Sequence, residues 1–231
     1  MLEAINLSKK YGEHQALKSL NLNVPAGETY CLLGQNGAGK TTTINLFLGL
    51  LKPSGGKTLI NGVEVNMDKN TTNSMIAYIP EVVQLYGNLN GLENLEFFSR
   101  LSGHNHSKKW LVSLLSKAGL KEKHHTKKLS SYSKGMRQKV GVAIALSKNA
   151  QVIFMDEPTS GLDPQATAEF TAICKELVSE GKTIFMATHD IFNAVNVGSR
   201  IGIMKEGELI HSGKTLDLTA IELQDLYLKT I

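Results

Sequence analysis

Apolar positions in this chain follow two different rhythms. At 29–33, 151–155 and 183–187 they form short, nearly unbroken runs: Thr-Tyr-Cys-Leu-Leu, Gln-Val-Ile-Phe-Met and Thr-Ile-Phe-Met-Ala. Runs of that length suit strands buried on both faces of a parallel sheet. Residues 164–179 read as a helix between the last two runs, so 151–187 is a βαβ unit. The N-terminal stretch reads as strands with tight turns. There, 58–60 and 63–65 flank Asn61-Gly62, a pair suited to a type I′ hairpin turn. A further strand is expected at 75–79, ending at Pro80.

The rhythm then changes. Leu92, Leu95, Phe98 and Leu101 recur at helical spacing, and 110–118 and 135–147 also read as helices. Residues 82–150 therefore look like a helical insert. Late in the chain, 201–204 and 208–211 flank Lys205-Glu206-Gly207 as a hairpin, and 216–231 has an amphipathic helical pattern. The expectation is a single α/β domain over 1–231. Its parallel-sheet core spans 1–81 and 151–231, with an N-terminal antiparallel β-subdomain and an inserted helical subdomain at 82–150.

Composition narrows the function classes. The chain has 231 residues with 25 basic and 21 acidic side chains. That balance names no polyanionic partner, and no nucleic acid is expected. The longest apolar runs, 46–51 and 140–146, fall short of the ~20 residues of a membrane helix, and the N-terminus lacks a signal-peptide pattern. Cys31 and Cys174 are isolated and read as core thiols. A soluble, reduced, intracellular chain is expected. The run Lys121-Glu122-Lys123-His124-His125-Thr126-Lys127-Lys128 reads as a solvated face. His104 and His106 lack acidic or cysteine companions, so no metal is assigned to them.

The candidate chemistry begins after the first buried run. Gly34, Gln35, Asn36, Gly37, Ala38, Gly39 and Lys40, followed by Thr41 and Thr42, match G-x-x-x-x-G-K-[ST]. The loop lies between a strand and a helix expected over 41–51, the setting of a P-loop NTPase. Its backbone N–H groups and the helix dipole favour phosphate, Lys40 adds a full positive charge, and Thr41 can bind Mg²⁺ through its hydroxyl. Asp156 stands at the carboxyl edge of a later buried strand, where it can hold Mg²⁺. Glu157, one step on, can orient and polarise the water that attacks a γ-phosphate.

Gly34–Thr41 together with Asp156-Glu157-Pro158-Thr159-Ser160-Gly161-Leu162-Asp163 resembles the nucleotide-binding subunit of ABC transporters, from Leu2 to about Gly213. Tyr11 resembles that family's adenine-stacking aromatic. Tyr132-Ser133-Lys134-Gly135-Met136-Arg137-Gln138-Lys139 resembles its signature at a helix start, and His189 resembles its switch histidine. The resemblance implies ATP and Mg²⁺ as ligands, Glu157 and His189 as catalytic groups, and Ser133, Lys134, Gly135 and Asp163 at a dimer interface. Ser133 and Gly135 would offer a hydroxyl and a backbone N–H to nucleotide on a facing subunit, either a second copy or a homologous ATPase subunit. Asp163 also suits the N-cap of the helix that begins at Pro164.

Two departures from the family pattern stand out. The signature carries Lys134 and Met136 in place of the usual Gly and Gln, a variant similar to those of exporter-type subunits. Glu81, after Pro80, stands where a Gln is common. It is expected to reach nucleotide or Mg²⁺, with Gln84 as the alternative residue. The resemblance further implies a separate membrane permease docking near 82–102, with Leu85 and Tyr86 lining the groove, and a cytoplasmic subunit peripheral on the inner face of the cell membrane. An importer subunit and a soluble, non-transport ABC ATPase remain open alternatives.

Overall fold

The computed structural model describes residues 1–216 and 219–230. In chain order the elements are β1 (Leu2–Tyr11), β2 (His14–Val24), β3 (Thr29–Gly34), α1 (Lys40–Phe47), β4 (Gly55–Ile60), β5 (Val63–Glu64), α2 (Lys69–Met75) and β6 (Ile76–Ile79). Then follow α3 (Gly91–Leu101), α4 (Lys108–Lys117), α5 (Glu122–His125) and α6 (Lys134–Ser147). The chain closes with β7 (Val152–Asp156), α7 (Pro164–Ser179), β8 (Thr183–Thr188), α8 (Ile191–Val197), β9 (Arg200–Lys205), β10 (Glu208–Lys214) and α9 (Ala220–Thr230).

Two sheets result. The first, in the order β2-β1-β4-β5, is antiparallel, as the N-terminal turn chemistry predicts. Asn61 and Gly62 both take positive φ (52° and 78°), the turn geometry expected of that pair. The second has the order β10-β9-β3-β8-β7-β6. Its strands β9, β3, β8, β7 and β6 run parallel, and β10 closes the edge antiparallel. Every residue of β3, β7 and β8 is buried, which explains their unbroken apolar runs. β10 alternates exposed and half-buried positions, as an edge strand should.

Apolar clusters lie on both faces of the parallel sheet. One fills the space between the sheets and α1, where Phe47, Phe154 and Phe185 pack with centroids 5.7–5.9 Å apart. Tyr30 stacks on Phe185 at 5.6 Å, its hydroxyl meets Ser212 Oγ at 3.1 Å, and burial pushes its pKa up to about 12. The other cluster joins Cys31, Leu33 and Ile79 of the sheet to Leu95, Leu115, Val140 and Phe170 of the helices. The helices of 82–150 thus share an apolar cluster with the sheet. Cys31 and Cys174 are both fully buried in it, and burial raises both thiol pKa values.

Several boundaries depart from expectation. The first helix ends at Phe47 because the chain turns at Gly49 (φ 66°), where Leu50 and Leu51 donate back to the Asn45 carbonyl. Helices α2 and α8 carry little helical periodicity. Each is seven residues long and is started by an aspartate cap: Asp68 accepts from Thr71 N at 2.9 Å, and Asp190 accepts from Asn193 N at 3.0 Å. Of the helix expected over 216–231, α9 covers Ala220–Thr230, while residues 217, 218 and 231 lie outside the described residues.

Candidate active site

Strand register assembles the site. Leu33 of β3 pairs with Thr188 of β8, and Asp156 of β7 pairs with Ala187. The loop after β3, the acids after β7 and the residues after β8 therefore emerge side by side at the carboxyl edge of the sheet, the usual location of ligand sites in such folds.

The glycine loop has the conformation its sequence requires. Gly37 and Gly39 take φ of 84° and 107°, and a Cβ at Gly39 would lie 2.8 Å from the Ala16 carbonyl oxygen. Gly39 caps α1, so the helix N-terminus opens into the loop. Lys40 is buried and donates to the carbonyls of Gly34 (2.7 Å) and Gln35 (3.3 Å). Its Nζ also lies 3.5 Å from Glu157 Oε1. The Thr41 hydroxyl donates to Asp156 Oδ2 at 2.8 Å, so two of the three side chains expected to hold the metal already meet. Burial pushes the Asp156 carboxyl above its ordinary range. The Thr41 hydrogen bond opposes that shift, and the Glu157 charge adds to it.

Glu157 adopts φ 46°, an uncommon conformation for a residue with a side chain, and its N–H donates to the Ala187 carbonyl at 2.9 Å. That backbone turn brings Glu157 Oε2 to His189, 2.8 Å from Nδ1 and 3.3 Å from the backbone N–H. Glu157 Oε1 is buried without a hydrogen-bond partner. An acceptor held in that state has spare capacity for a water or a phosphate-bound group. The residues therefore fit a phosphate ligand and a hard divalent cation, with a hydroxyl and a carboxylate as donors.

A cavity of about 350 Å³ is lined by Tyr11, Gln35, Asn36, Gly37, Gly39, Lys40, Thr41, Thr42, Glu81, Asp156 and Glu157. Gly34 carries its carbonyl to Lys40 beneath it, and the backbone N–H of Ala38 closes the loop on the Gln35 carbonyl at 3.1 Å. His14 and Ala16 also line the cavity, and sequence reasoning missed both. The signal was present, since Tyr11 pairs directly with His14 across a tight turn. Tyr11 is half exposed, with Lys9 Nζ 5.2 Å from its ring centroid. Glu81 lines the cavity and Gln84 does not, which favours Glu81 of the two alternatives.

Ser133, Gly135 and Asp163 lie elsewhere, lining a separate concavity of about 240 Å³ with Met136, Lys139 and Ala166. Ser133 caps α6, its Oγ accepting from Met136 N at 3.3 Å. Gly135 is buried beside α7, where an added Cβ would stand in contact with that of Ala166 at 3.4 Å. Asp163 caps α7, accepting from Ala166 N at 2.8 Å, with Pro164 first in the helix as expected. Lys134 reaches away from this concavity toward Glu81, 3.6 Å distant. Gln138, missed by sequence reasoning, is fully buried and donates to the carbonyls of Pro80 (3.3 Å) and Glu81 (3.0 Å). In the 82–102 region, Leu85 packs on the apolar cluster, while Tyr86 and Phe97 stay exposed with their rings edge to face at 4.8 Å. His104 and His106 stack with centroids 5.5 Å apart, and His106 Nε2 meets the Ser147 carbonyl at 3.0 Å.

A protein-family model described as ABC transporter matches residues 17–160. The chain belongs to the ABC transporter family. This cassette is 37% identical over 91% of its length to a bacitracin transport ATP-binding protein from Enterococcus faecalis, and spans 68% of that protein. It is 33% identical over 94% of its length to a linearmycin resistance ATP-binding protein from Bacillus subtilis, of which it spans 70%. Among solved structures, a dimeric post-hydrolysis state of the ATP-binding cassette MJ0796, bound to ADP and Pi, aligns with a TM-score of 0.83 at 30% identity. That alignment covers 94% of this chain and all of the other. The ABC chain is an ATP-binding cassette ATPase. Among the described residues, no helix is long and apolar enough to cross a membrane.

Proposed function

We propose that this chain hydrolyses ATP to drive export through a separate membrane subunit, acting as a head-to-tail pair of cassettes peripheral on the inner face of the cell membrane. One observation carries the reading. The residues expected to contact nucleotide fall into two sets on different surfaces of one chain, Tyr11, the glycine loop, Glu81, Asp156 and Glu157 around one cavity, Ser133 and Gly135 around another. A helix N-terminus capped by Ser133 is suited to anions, yet Ser133 and Gly135 do not line the cavity of their own chain's glycine loop. A head-to-tail arrangement brings the second set onto a partner's nucleotide, with Asp163 beside it. The relatives named for bacitracin transport and linearmycin resistance support export.

In this reading Lys40 leaves the loop carbonyls for the phosphates, and Tyr11 and His14 flank the base end of the cavity. Thr41 and Asp156 would hold Mg²⁺, with Glu81 within reach; the ion would supply charge neutralisation at the transferring phosphoryl group. Glu157 takes the proton of the attacking water through the carboxylate that Lys40 and His189 hold in place. His189 orients Glu157 and, through its other ring nitrogen, senses the terminal phosphate.

The test is Glu157→Gln. The variant should bind ATP, lose roughly 10²–10⁴-fold of its turnover, and accumulate as an ATP-dependent dimer on size-exclusion chromatography. Undiminished turnover would remove Glu157 from the role of base.

A further inference from the structure

Among the described residues, carboxylates outnumber ammonium groups in the cavity around the glycine loop: three carboxylates, Glu81, Asp156 and Glu157, against one ammonium, Lys40. Lys40 and His189 are both directed at Glu157, and Thr41 serves Asp156. Glu81 has different partners. Its Oε1 accepts from Ser160 Oγ at 3.0 Å and lies 3.6 Å from Lys134 Nζ. Lys134 is the first residue of α6 and so belongs to the helix end capped by Ser133. One turn further along α6, Gln138 grips the backbone carbonyls of Pro80 and Glu81. Positions 134 and 138 share one helix face. That face holds the Glu81 segment twice, by its charge and by its main chain.

We propose that Glu81 and Lys134 form a positioning charge pair: Lys134 neutralises the third carboxylate of the nucleotide cavity and fixes Glu81 to the N-terminus of α6. Lys134 and Glu81, one from each departure from the family pattern, are then one feature, since an acid at 81 burdens an anion site unless a cation is supplied from outside the cavity. The pair also ties the cavity that holds a chain's own nucleotide to the helix end that it presents to its partner. The proposal rests on the reading of this cavity as the nucleotide site.

The experiment is equilibrium binding of a fluorescent ADP analogue to the full chain, at concentrations where it is monomeric, in a double-substitution cycle. Lys134→Met should weaken binding roughly two- to five-fold, the reach of a partly exposed charge pair. With the titrations run without Mg²⁺, so that any contact of Glu81 with the ion is out of play, Glu81→Gln alone should bind more tightly than the unmodified chain, because it removes a carboxylate from the anion cavity. The double variant should return to the unmodified affinity, and Lys134→Arg should keep it. The difference between Lys134→Met and the double variant should shrink at about 1 M salt, where the screening length is roughly 3 Å. A merely structural lysine predicts instead that the double variant stays as weak as Lys134→Met, and that result overturns the pair. Equal affinity in all variants, with nucleotide binding intact, also overturns it while leaving the nucleotide site standing. Failure of the unmodified chain to bind the analogue overturns both. Unfolding temperatures measured in parallel identify a variant that has lost its fold, and Lys134→Gln with Glu81→Gln then replaces it in the same cycle.

Discussion

The carboxyl edge of the parallel sheet and the N-terminus of α6 both carry expected nucleotide contacts, yet they are built in opposite ways. At the sheet edge, β3, β7 and β8 are buried throughout, and their register leaves the glycine loop, Asp156 and Glu157 little freedom. Strain is tolerated there, as in Glu157 at φ 46°, because the surrounding backbone over-determines it. At the α6 end the residues are held by the caps of two helices, Ser133 on α6 and Asp163 on α7, and they line a concavity of about 240 Å³. In the proposed reading, the half of the site that holds the chain's own nucleotide is preorganised by the core. A site completed by a partner is presented at a helix end.

The largest effects should separate the two regions. Lys40→Ala should abolish nucleotide binding, whereas Gly135→Asp should leave monomeric binding intact. The second variant nevertheless loses turnover by about 10²-fold or more, the scale for removal of preorganised charge-stabilising groups. Binding titrations beside turnover assays check this, and lost monomer binding in Gly135→Asp would erase the contrast.

Next comes the core beneath the sheet edge. Phe185 is fully buried against Tyr30, Phe47 and Phe154. Phe185→Ala should cost about 3–5 kcal/mol in chemical denaturation. A loss below about 1 kcal/mol would mean that the sheet edge is not held by its core.

The raised pKa of Asp156 makes a pH prediction. The folded state binds the Asp156 proton more readily than the unfolded chain does. This side chain's stability contribution is therefore greatest below the ordinary carboxylate range and is lost as pH rises through its raised folded-state value. Acidification should weaken Mg²⁺-dependent nucleotide binding by about ten-fold per pH unit once below the raised pKa. Asp156→Asn should remove that slope. Equilibrium binding with and without Mg²⁺ across mildly acidic pH measures it.

The smallest effect concerns the insert surface. Tyr86 is exposed, so Tyr86→Ala should change stability by no more than about 1 kcal/mol while reducing co-purification with the membrane partner. Unchanged co-purification would remove Tyr86 from the docking groove.

How much was legible in the sequence follows from how local each signal is. The glycine loop, the Asn61-Gly62 turn and the Asp163-Pro164 cap are written in adjacent residues, and each adopts the expected geometry. The buried runs were readable because strands covered on both faces need no alternation. Helices α2 and α8 were not, since both are only seven residues long and depend on one cap and on packing. The first helix read too long because apolar residues continue past Phe47 into the turn at Gly49. His14 and Gln138 stood beside marked residues, Tyr11 across a tight turn and the signature segment, but their reach into the site depends on strand pairing and helix packing, and Ala16 carries no local mark at all.

By itself the sequence determined the chemistry available to this protein: a phosphate loop with its lysine and hydroxyl, two successive acids after a buried strand, and a signature segment opening a helix. Those are short-range patterns whose backbone demands are met within a few residues. Only the tertiary structure decided which of them share a surface. Parallel pairing of β3, β8 and β7 sets Thr41 on Asp156 and Glu157 between Lys40 and His189. Packing of α6 against the Glu81 segment joins two positions that read separately as anomalies. Strand register and helix packing are settled by burial across the whole core, and a local pattern cannot encode them.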